Sequence, residues 1–353
     1  MTDEPRITGT AQHDAWLART LPPVEQLATD LWSIPVPIPH SPLRYVSAYA
    51  FAVPGGLTLI DAGWNSPESW AAFTTGLASI GAAVSDVRGM LVTHMHYDHI
   101  GLAGRVREES GAWIALHQAD HDLLARPDYR DPALAQSAEA ALLRRLGATE
   151  DEALSSVGTV EAYRPWTSIA LPDRHLAHGE LADVPGWSLR AVHTPGHTPG
   201  HLCFHEERTR TLFAGDHVLP RITPNISVER AGTDDPLGDY LSSLAHVRGL
   251  DVQHVFPAHE WRFDGLAPRV DEILAHHERR LAELLDATAH NPGATPWELA
   301  AELTWSRPWS EYGGRMRIFA VTETAAHANL LHSRAGRHRG RGRAALHRDR
   351  GPA

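Results

Sequence analysis

The segment Thr93-His94-Met95-His96-Tyr97-Asp98-His99 places four metal-capable side chains within six positions, directly after the apolar run Met90-Leu91-Val92. In extended backbone, residues two apart point to the same side, so His94 and His96 can converge on one ion. Asp98 and His99 follow where the chain turns into a helix, and both can reach a second position nearby. A carboxylate mixed with imidazoles suits zinc and also accommodates iron or manganese. Cys203 is the only cysteine. No disulfide can form within the chain, and a metal site must rely on nitrogen and oxygen donors. Cys203 lies in the strand-like His201-Leu202-Cys203-Phe204 and reads as a small buried hydrophobe.

The same placement recurs further along. His197 sits in His193-Thr194-Pro195-Gly196-His197-Thr198-Pro199-Gly200-His201, past a strand-like run ending at Val192. Asp216 follows Thr211-Leu212-Phe213-Ala214-Gly215, and His259 follows His254-Val255-Phe256-Pro257-Ala258. In open α/β layers, ligands bind beyond the carboxyl ends of the strands, so one rim can gather all seven side chains. A lone histidine after a strand is usually an ordinary core or surface residue, and Asp216 after a glycine is by itself a turn former. The ordered set is what carries the reading.

The surrounding pattern is a layered α/β architecture. A short helix is expected from Asp14 to Arg19, then an extended edge segment over the proline-punctuated Ile34-Pro35-Val36-Pro37-Ile38-Pro39, rather than a central strand. Strands are expected over Tyr45 to Val53, Leu57 to Ile60, Met90 to Thr93 and Ala112 to Leu116. Helices are expected over Ser66 to Ile80, with Ser66 as N-cap and Pro67 first, and over Asp98 to Glu109, ended by Gly111. Residues 118–165 read as a helical insertion, placed either to shape a substrate pocket or simply to pack. Four more strands, over Trp187 to Val192, His201 to Phe204, Thr211 to Ala214 and Val252 to Phe256, precede a change of pattern near Gly265. Val270, Ile273, Leu274, His277, Leu281, Leu284 and Leu285 recur at helical spacing. Thr295-Pro296-Trp297-Glu298 is a capping box, and a third helix is expected from Met316 to His332, stopping near Gly336. The expected organisation is a catalytic unit over 1–265, a small all-helical domain over 266–336, and a basic tail without fixed structure over 337–353.

These motifs, in this order, resemble the metallo-β-lactamase fold superfamily, and the likeness spans residues 30–262. It implies an αβ/βα sandwich. It also implies that His94, His96 and His197 hold one metal ion, that Asp98, His99 and His259 hold another, and that Asp216 bridges the two. Asp61, in Leu59-Ile60-Asp61-Ala62-Gly63, matches a motif that supports such sites from behind the ligands, although it also fits a turn before Gly63. His193 and His201 read either as supports behind the ligand or as structural residues, His217 as lining the pocket, and Tyr97 as a packed aromatic. The segment from Asp216 to Ile226 and the helical C-terminal region resemble the glyoxalase II-like branch. They resemble more closely the lactamase-like group with a small winged-helix-like C-terminal domain, which includes thioesterases and an endoribonuclease.

The function expected is therefore hydrolysis at two divalent ions, most naturally zinc. Two ions sharing a water lower its pKa towards neutrality and give a hydroxide nucleophile, with Asp98 handling a proton while remaining a ligand. An ester or thioester of a small acyl substrate is the first reading, and lactones fall to the same chemistry. A nuclease or phosphodiesterase is the alternative. It needs a basic groove, which the net charge of −11 opposes, and only the arginines from 334 to 350 favour it. A di-iron redox protein or a non-catalytic metal-binding module is a further alternative, but the redox members of the superfamily usually carry a flavin-binding domain that has no place here. Arg221 and Asn225 are candidate substrate contacts. Met1 to Thr20 lacks a basic segment followed by an apolar one, and no apolar run approaches membrane-spanning length, so a cytoplasmic protein with no membrane partner is expected. Paired C-terminal helices can support a homodimer.

Overall fold

Every residue from Tyr45 to Phe51 is buried, so this strand has covered layers on both sides. In the computed structural model, which describes the backbone of residues 4–346 and the side chains of 4–335, those layers come from two sheets and their helices. The first half of the chain runs β1 (Arg6–Ile7), α1 (Thr10–Ala18), β2 (Glu25–Ala28), β3 (Leu31–Pro37), β4 (Tyr45–Val53), β5 (Gly56–Ile60), α2 (Pro67–Ser79) and β6 (Val87–Leu91). Next come α3 (Tyr97–Ile100), α4 (Ala103–Ser110), β7 (Trp113–Leu116) and the helical insertion of α5 (Gln118–Leu124), α6 (Pro127–Arg130), α7 (Pro132–Arg145), α8 (Glu150–Ser156) and α9 (Val160–Thr167). The second half holds β8 (Arg174–His175), β9 (Leu189–His193), β10 (Leu202–Glu206), β11 (Thr211–Gly215), α10 (Pro236–Arg248), β12 (His254–Pro257) and β13 (Phe263–Asp264). It ends with α11 (Leu266–His290), α12 (Pro296–Glu302) and α13 (Gly314–Leu346).

The seven-stranded sheet has the order β2-β3-β4-β5-β6-β7-β8, and the six-stranded sheet the order β1-β13-β12-β11-β10-β9. Strand alternation sorts neighbouring side chains to opposite faces. Tyr49 and Phe51 point between the sheets, where they meet Phe204 and Phe213, while Ala48 and Ala50 face the outer helices with Phe73, Leu77 and Ile100. Burying each such aromatic contributes roughly 1.5–3 kcal/mol, and the Phe51 and Phe213 rings meet edge-on with centroids 5.2 Å apart. On the far side, Cys203, Leu212 and Val255 pack against α10, α11 and α13. The result is an αβ/βα sandwich with a mostly helical C-terminal segment.

Local signals explain several boundaries. Ser66 caps α2 by accepting from Ser69 N at 3.0 Å. Thr295 and Glu298 form the reciprocal box that starts α12. Four expectations need correction. The proline-rich segment lies in β3, which pairs β2 and β4 and so is not an edge strand. However, β2 covers only Leu31, Trp32 and Ser33, and Pro35 and Pro37 lie past its end, where a missing N–H costs no bond to it. The helix expected over Asp98 to Glu109 is two helices, because Leu102 N leaves the helical ladder to donate to Gly63 O at 2.9 Å. α13 does not stop near Gly336 but continues to Leu346; a glycine inside a helix costs only about 1 kcal/mol against alanine and need not end it. Residues 347–353 of the basic stretch lie outside the described residues. The fourth correction, at His217, belongs to the site.

No strand follows Asp264 among the described residues. Val270, Ile273 and Leu281 of α11 and Ala326 and Leu330 of α13 share one apolar cluster with α10 and the second sheet. Trp297, Ile318 and Val321 pack on Leu143 and Ala153 of the insertion. Among the described residues, no helix is long and apolar enough to cross a membrane.

Candidate metal centre

The strands β5, β6, β9, β11 and β12 deliver their C-terminal ends to one rim, and the loops beyond them carry polar groups. His94, His96 and His197 bring one ligand atom each to within 4.8 Å of one another. So do Asp98, His99 and His259, and so do His94, His99 and Asp216. All seven side chains singled out from the sequence therefore meet in one place, with Asp216 between the two histidine groups. His94, His99 and His259 are fully buried, while Asp98 is the more open carboxylate at 16% side-chain exposure. Two adjacent positions for divalent cations result.

The hydrogen bonding behind these side chains points the same way. His99 Nδ1 donates to Asp61 Oδ2 at 2.8 Å, His197 Nδ1 to Asn225 O at 2.9 Å, and His259 Nδ1 to Tyr45 O at 2.8 Å. Each of these bonds fixes the tautomer that leaves the Nε2 lone pair free. Thr93 Oγ1 lies 3.0 Å from Asp61 Oδ2 and 3.0 Å from His94 Nδ1, so the Asp61 carboxylate also steers His94 through a hydroxyl. Asp61 is thus a support for the candidate ligands and a turn residue at once, with φ +59°.

In the interior of the cluster the balance reverses. His99 Nε2, His197 Nε2, His259 Nε2 and Asp216 Oδ1 are buried without a hydrogen-bond partner. Their separations from the Asp216 oxygens, 3.5 Å for His99 and His197 and 3.3 Å for His259, are long for hydrogen bonds. Orphaned buried groups of this kind cost about 1–3 kcal/mol each, and several lone pairs aimed at common points are the donor set a divalent cation satisfies. The residues present fit such ions.

The electrostatics agree. Burial, and then the neighbouring imidazoles, hold His94 and His96 well below the usual histidine range. Burial pushes His99 and His259 down too, but Asp216, with Asp98 and, for His99, Asp61, more than offsets this and holds both above it. Burial works against the Asp216 carboxylate, yet His259 and His99 keep it well below the usual range. The carboxylates thus favour positive charge at His99 and His259, whereas His94 and His96 are held in the neutral form.

Other expected residues fall into place. His201 is fully buried and accepts Asp216 N at Nε2, 3.1 Å away, so it orients a candidate ligand from behind. His193 Nε2 donates to Pro199 O at 2.8 Å, tightening the His197 loop. Tyr97 is packed between Trp64 and Trp166, and burial pushes the Cys203 thiol up to about 12. His217 does not line an open pocket. It is fully enclosed against Tyr240, and burial pushes it down to about 3. Arg221 and Asn225 are engaged within the protein, Arg221 with Glu260 at 2.6 Å and Asn225 Nδ2 with Glu323 Oε2 at 2.9 Å.

Sequence reasoning missed Asp120. This fully buried carboxylate accepts from Met95 N at 2.9 Å, Thr198 Oγ1 at 2.8 Å and Gly200 N at 2.6 Å. It ties the loop of His94 and His96 to the loop of His197. Its position just past β7, matching that of the candidate ligands, is the signal that could have revealed it.

Comparison with known proteins agrees with this geometry. The chain is 27% identical to the probable metallo-hydrolase YqjP of Bacillus subtilis, over 69% of this chain and 79% of that one. Among solved structures, it is similar to the metallo-beta-lactamase family protein TTHA1429 of Thermus thermophilus, with a TM-score of 0.74 and 30% identity over 88% of this chain and 95% of that one. A beta-lactamase domain protein of Burkholderia ambifaria matches with a TM-score of 0.70 and 25% identity, over 93% and 92% of the two chains. Residues 41–259, from the loop before β4 to the last candidate ligand, match the family description of the metallo-beta-lactamase superfamily. With its sandwich, its rim of histidines and aspartates and that match in agreement, the chain belongs to the metallo-beta-lactamase superfamily.

Proposed function

We propose that this protein is a dinuclear metal-dependent hydrolase that cleaves an ester or thioester bond of a small acyl substrate. The observation that carries the reading is the convergence of histidine nitrogens and carboxylate oxygens on two adjacent points, with the Nε2 atoms of His99, His197 and His259 and Asp216 Oδ1 buried and unpartnered. In this reading His94, His96 and His197 hold one ion, Asp98, His99 and His259 the other, and Asp216 stands between them. Nitrogen and oxygen donors of this mixture suit zinc first, with iron or manganese as alternatives. When bound, such a pair supplies Lewis acidity and brings the pKa of water towards neutrality.

The chain's own residues do the rest. Asp61, Asn225 O and Tyr45 O keep the imidazoles in the tautomer that can bind a cation. Asp98, the more open carboxylate, takes up the proton released during attack and returns it to the leaving group. The closed wall behind His94, His99 and His259 excludes bulk water from the far side of the cluster. An acyl substrate is favoured over a polynucleotide because the chain carries a net charge of −11, which repels a phosphate backbone. The name of YqjP, a probable metallo-hydrolase, supports the reaction class.

A panel of S-acyl thioester, carboxylic ester, lactone and phosphodiester substrates tests this. Turnover of thioester or ester is expected, lost on chelation, restored by Zn2+, and reduced in Asp98→Asn by about 10²-fold or more in kcat. Cleavage of the phosphodiester alone, or full activity after complete metal removal, contradicts the reading.

A further inference from the structure

We propose that helix α13 is part of the metal centre: through Glu323 and Thr322 it holds Asn225, whose main-chain oxygen fixes the orientation of His197. The proposal rests on the reading of His197 as a ligand. An imidazole binds a cation through Nε2 when its proton sits on Nδ1, and an acceptor for that N–H fixes the tautomer and the ring's orientation; here the acceptor is Asn225 O at 2.9 Å. That carbonyl lies in the long connection between β11 and α10, which has no regular secondary structure around residues 222–229. No strand ladder or helix of its own keeps the carbonyl aimed at His197.

Contacts from α13 do so instead. Asn225 Nδ2 donates to Glu323 Oε2 at 2.9 Å. The Ser227 hydroxyl donates to Asn225 Oδ1, and Thr322 Oγ1 lies 3.0 Å from Ser227 Oγ. Val228 N donates to the main-chain oxygen of Thr322 at 3.1 Å. Both ends of the Asn225 amide are thus tied, one directly and one through Ser227, to successive residues of a single helix. α13 is itself seated on the second sheet's helical layer by Ala326 and Leu330. Glu323 and Asn225 are positioning residues, acting on the cation only through His197.

Removing an outer partner of a ligating histidine typically lowers metal affinity 10–100-fold. The test uses the full chain, stripped and then titrated with Zn2+ against a competing chelator, with Co2+ absorption reporting the ligand field. Glu323→Ala is expected to weaken one of two ions by about 10-fold or more and to alter the Co2+ spectrum. Glu323→Gln still offers an oxygen to Asn225 Nδ2 and is expected to behave as wild type. Asn225→Ala, in a half-buried loop, is expected to match Glu323→Ala, and the double variant to be no worse than either alone, as shared action requires. It also carries the test if Glu323→Ala does not fold. Wild-type affinity for both ions in Asn225→Ala, or losses that add in the double variant, would overturn the proposal. Failure of the underlying reading looks different: His197→Ala would then leave metal affinity unchanged.

Discussion

Replacing Asp61 with asparagine exchanges one acceptor oxygen for a donor, and the structure specifies where the consequence falls. Oδ1 accepts from Thr93 N at 2.8 Å, a bond that an amide oxygen keeps. Oδ2 accepts from His99 Nδ1 at 2.8 Å, and there the amide would set N–H against N–H. His99 can relieve the conflict by moving its proton to Nε2, the nitrogen that faces Asp216 and Asp98. It then has no lone pair for a cation. The expected loss in affinity at that position is about 10–100-fold, or about 1.4–2.7 kcal/mol. Stability should fall by a comparable amount. Asparagine tolerates the left-handed backbone at φ +59°, so the cost is one charge-assisted hydrogen bond, about 1.5–3 kcal/mol. Asp61→Ala is less informative, because it also strands the buried Thr93 N–H at about 1–3 kcal/mol and puts alanine in the left-handed region at about 1–2 kcal/mol. The total, about 4–8 kcal/mol, rivals the whole stability of a domain. Chelator competition and urea unfolding of stripped protein separate the two effects. If Asp61→Asn binds both ions as wild type does, Asp61 does not govern the His99 tautomer and the reasoning is wrong.

Two further outcomes follow from buried groups near the rim. Burial raises the Asp120 carboxyl from 3.8 to about 6, so the folded chain binds this proton more tightly than the unfolded one. The resulting stability is fully present below pH 3.8 and is lost as pH rises through about 6, a change of about 3 kcal/mol. In urea unfolding of stripped protein, the advantage of wild type over Asp120→Asn should therefore shrink between those two values; a constant or growing gap contradicts it. Gly215→Ala should lower metal affinity, since its φ is +51° and a Cβ there would lie 2.7 Å from His201 Nε2, beside Asp216. Unchanged chelator competition by this variant would show that the Asp216 turn can absorb the strain.

What was legible in the sequence is what strand geometry writes into it. The candidate ligands announce themselves because each lies just past an apolar run, and because a two-residue spacing puts His94 and His96 on one side. The helix caps at Ser66 and Thr295 were readable for the same reason: a local rule decides them. Features set by long-range contact were not readable. The supports at Tyr45 O and Asn225 O are main-chain atoms, which leave no trace in residue identity. Asp120 is a single carboxylate whose partners lie 25, 78 and 80 residues away. Prolines 35 and 37 suggested an edge, yet the shortness of β2 decides how much of β3 it covers. His217 looked like a pocket residue from its place beside Asp216, but α10 supplies Tyr240 to seal it in.

The central claim is that seven side chains gathered from loops far apart in sequence grip two cations around Asp216. Anomalous diffraction from zinc-loaded crystals tests it most directly. The account predicts two peaks per chain, one on either side of the Asp216 carboxylate, each about 2.0–2.2 Å from its histidine nitrogens and carboxylate oxygens. A single peak, no peak, or zinc bound only elsewhere on the chain would contradict it.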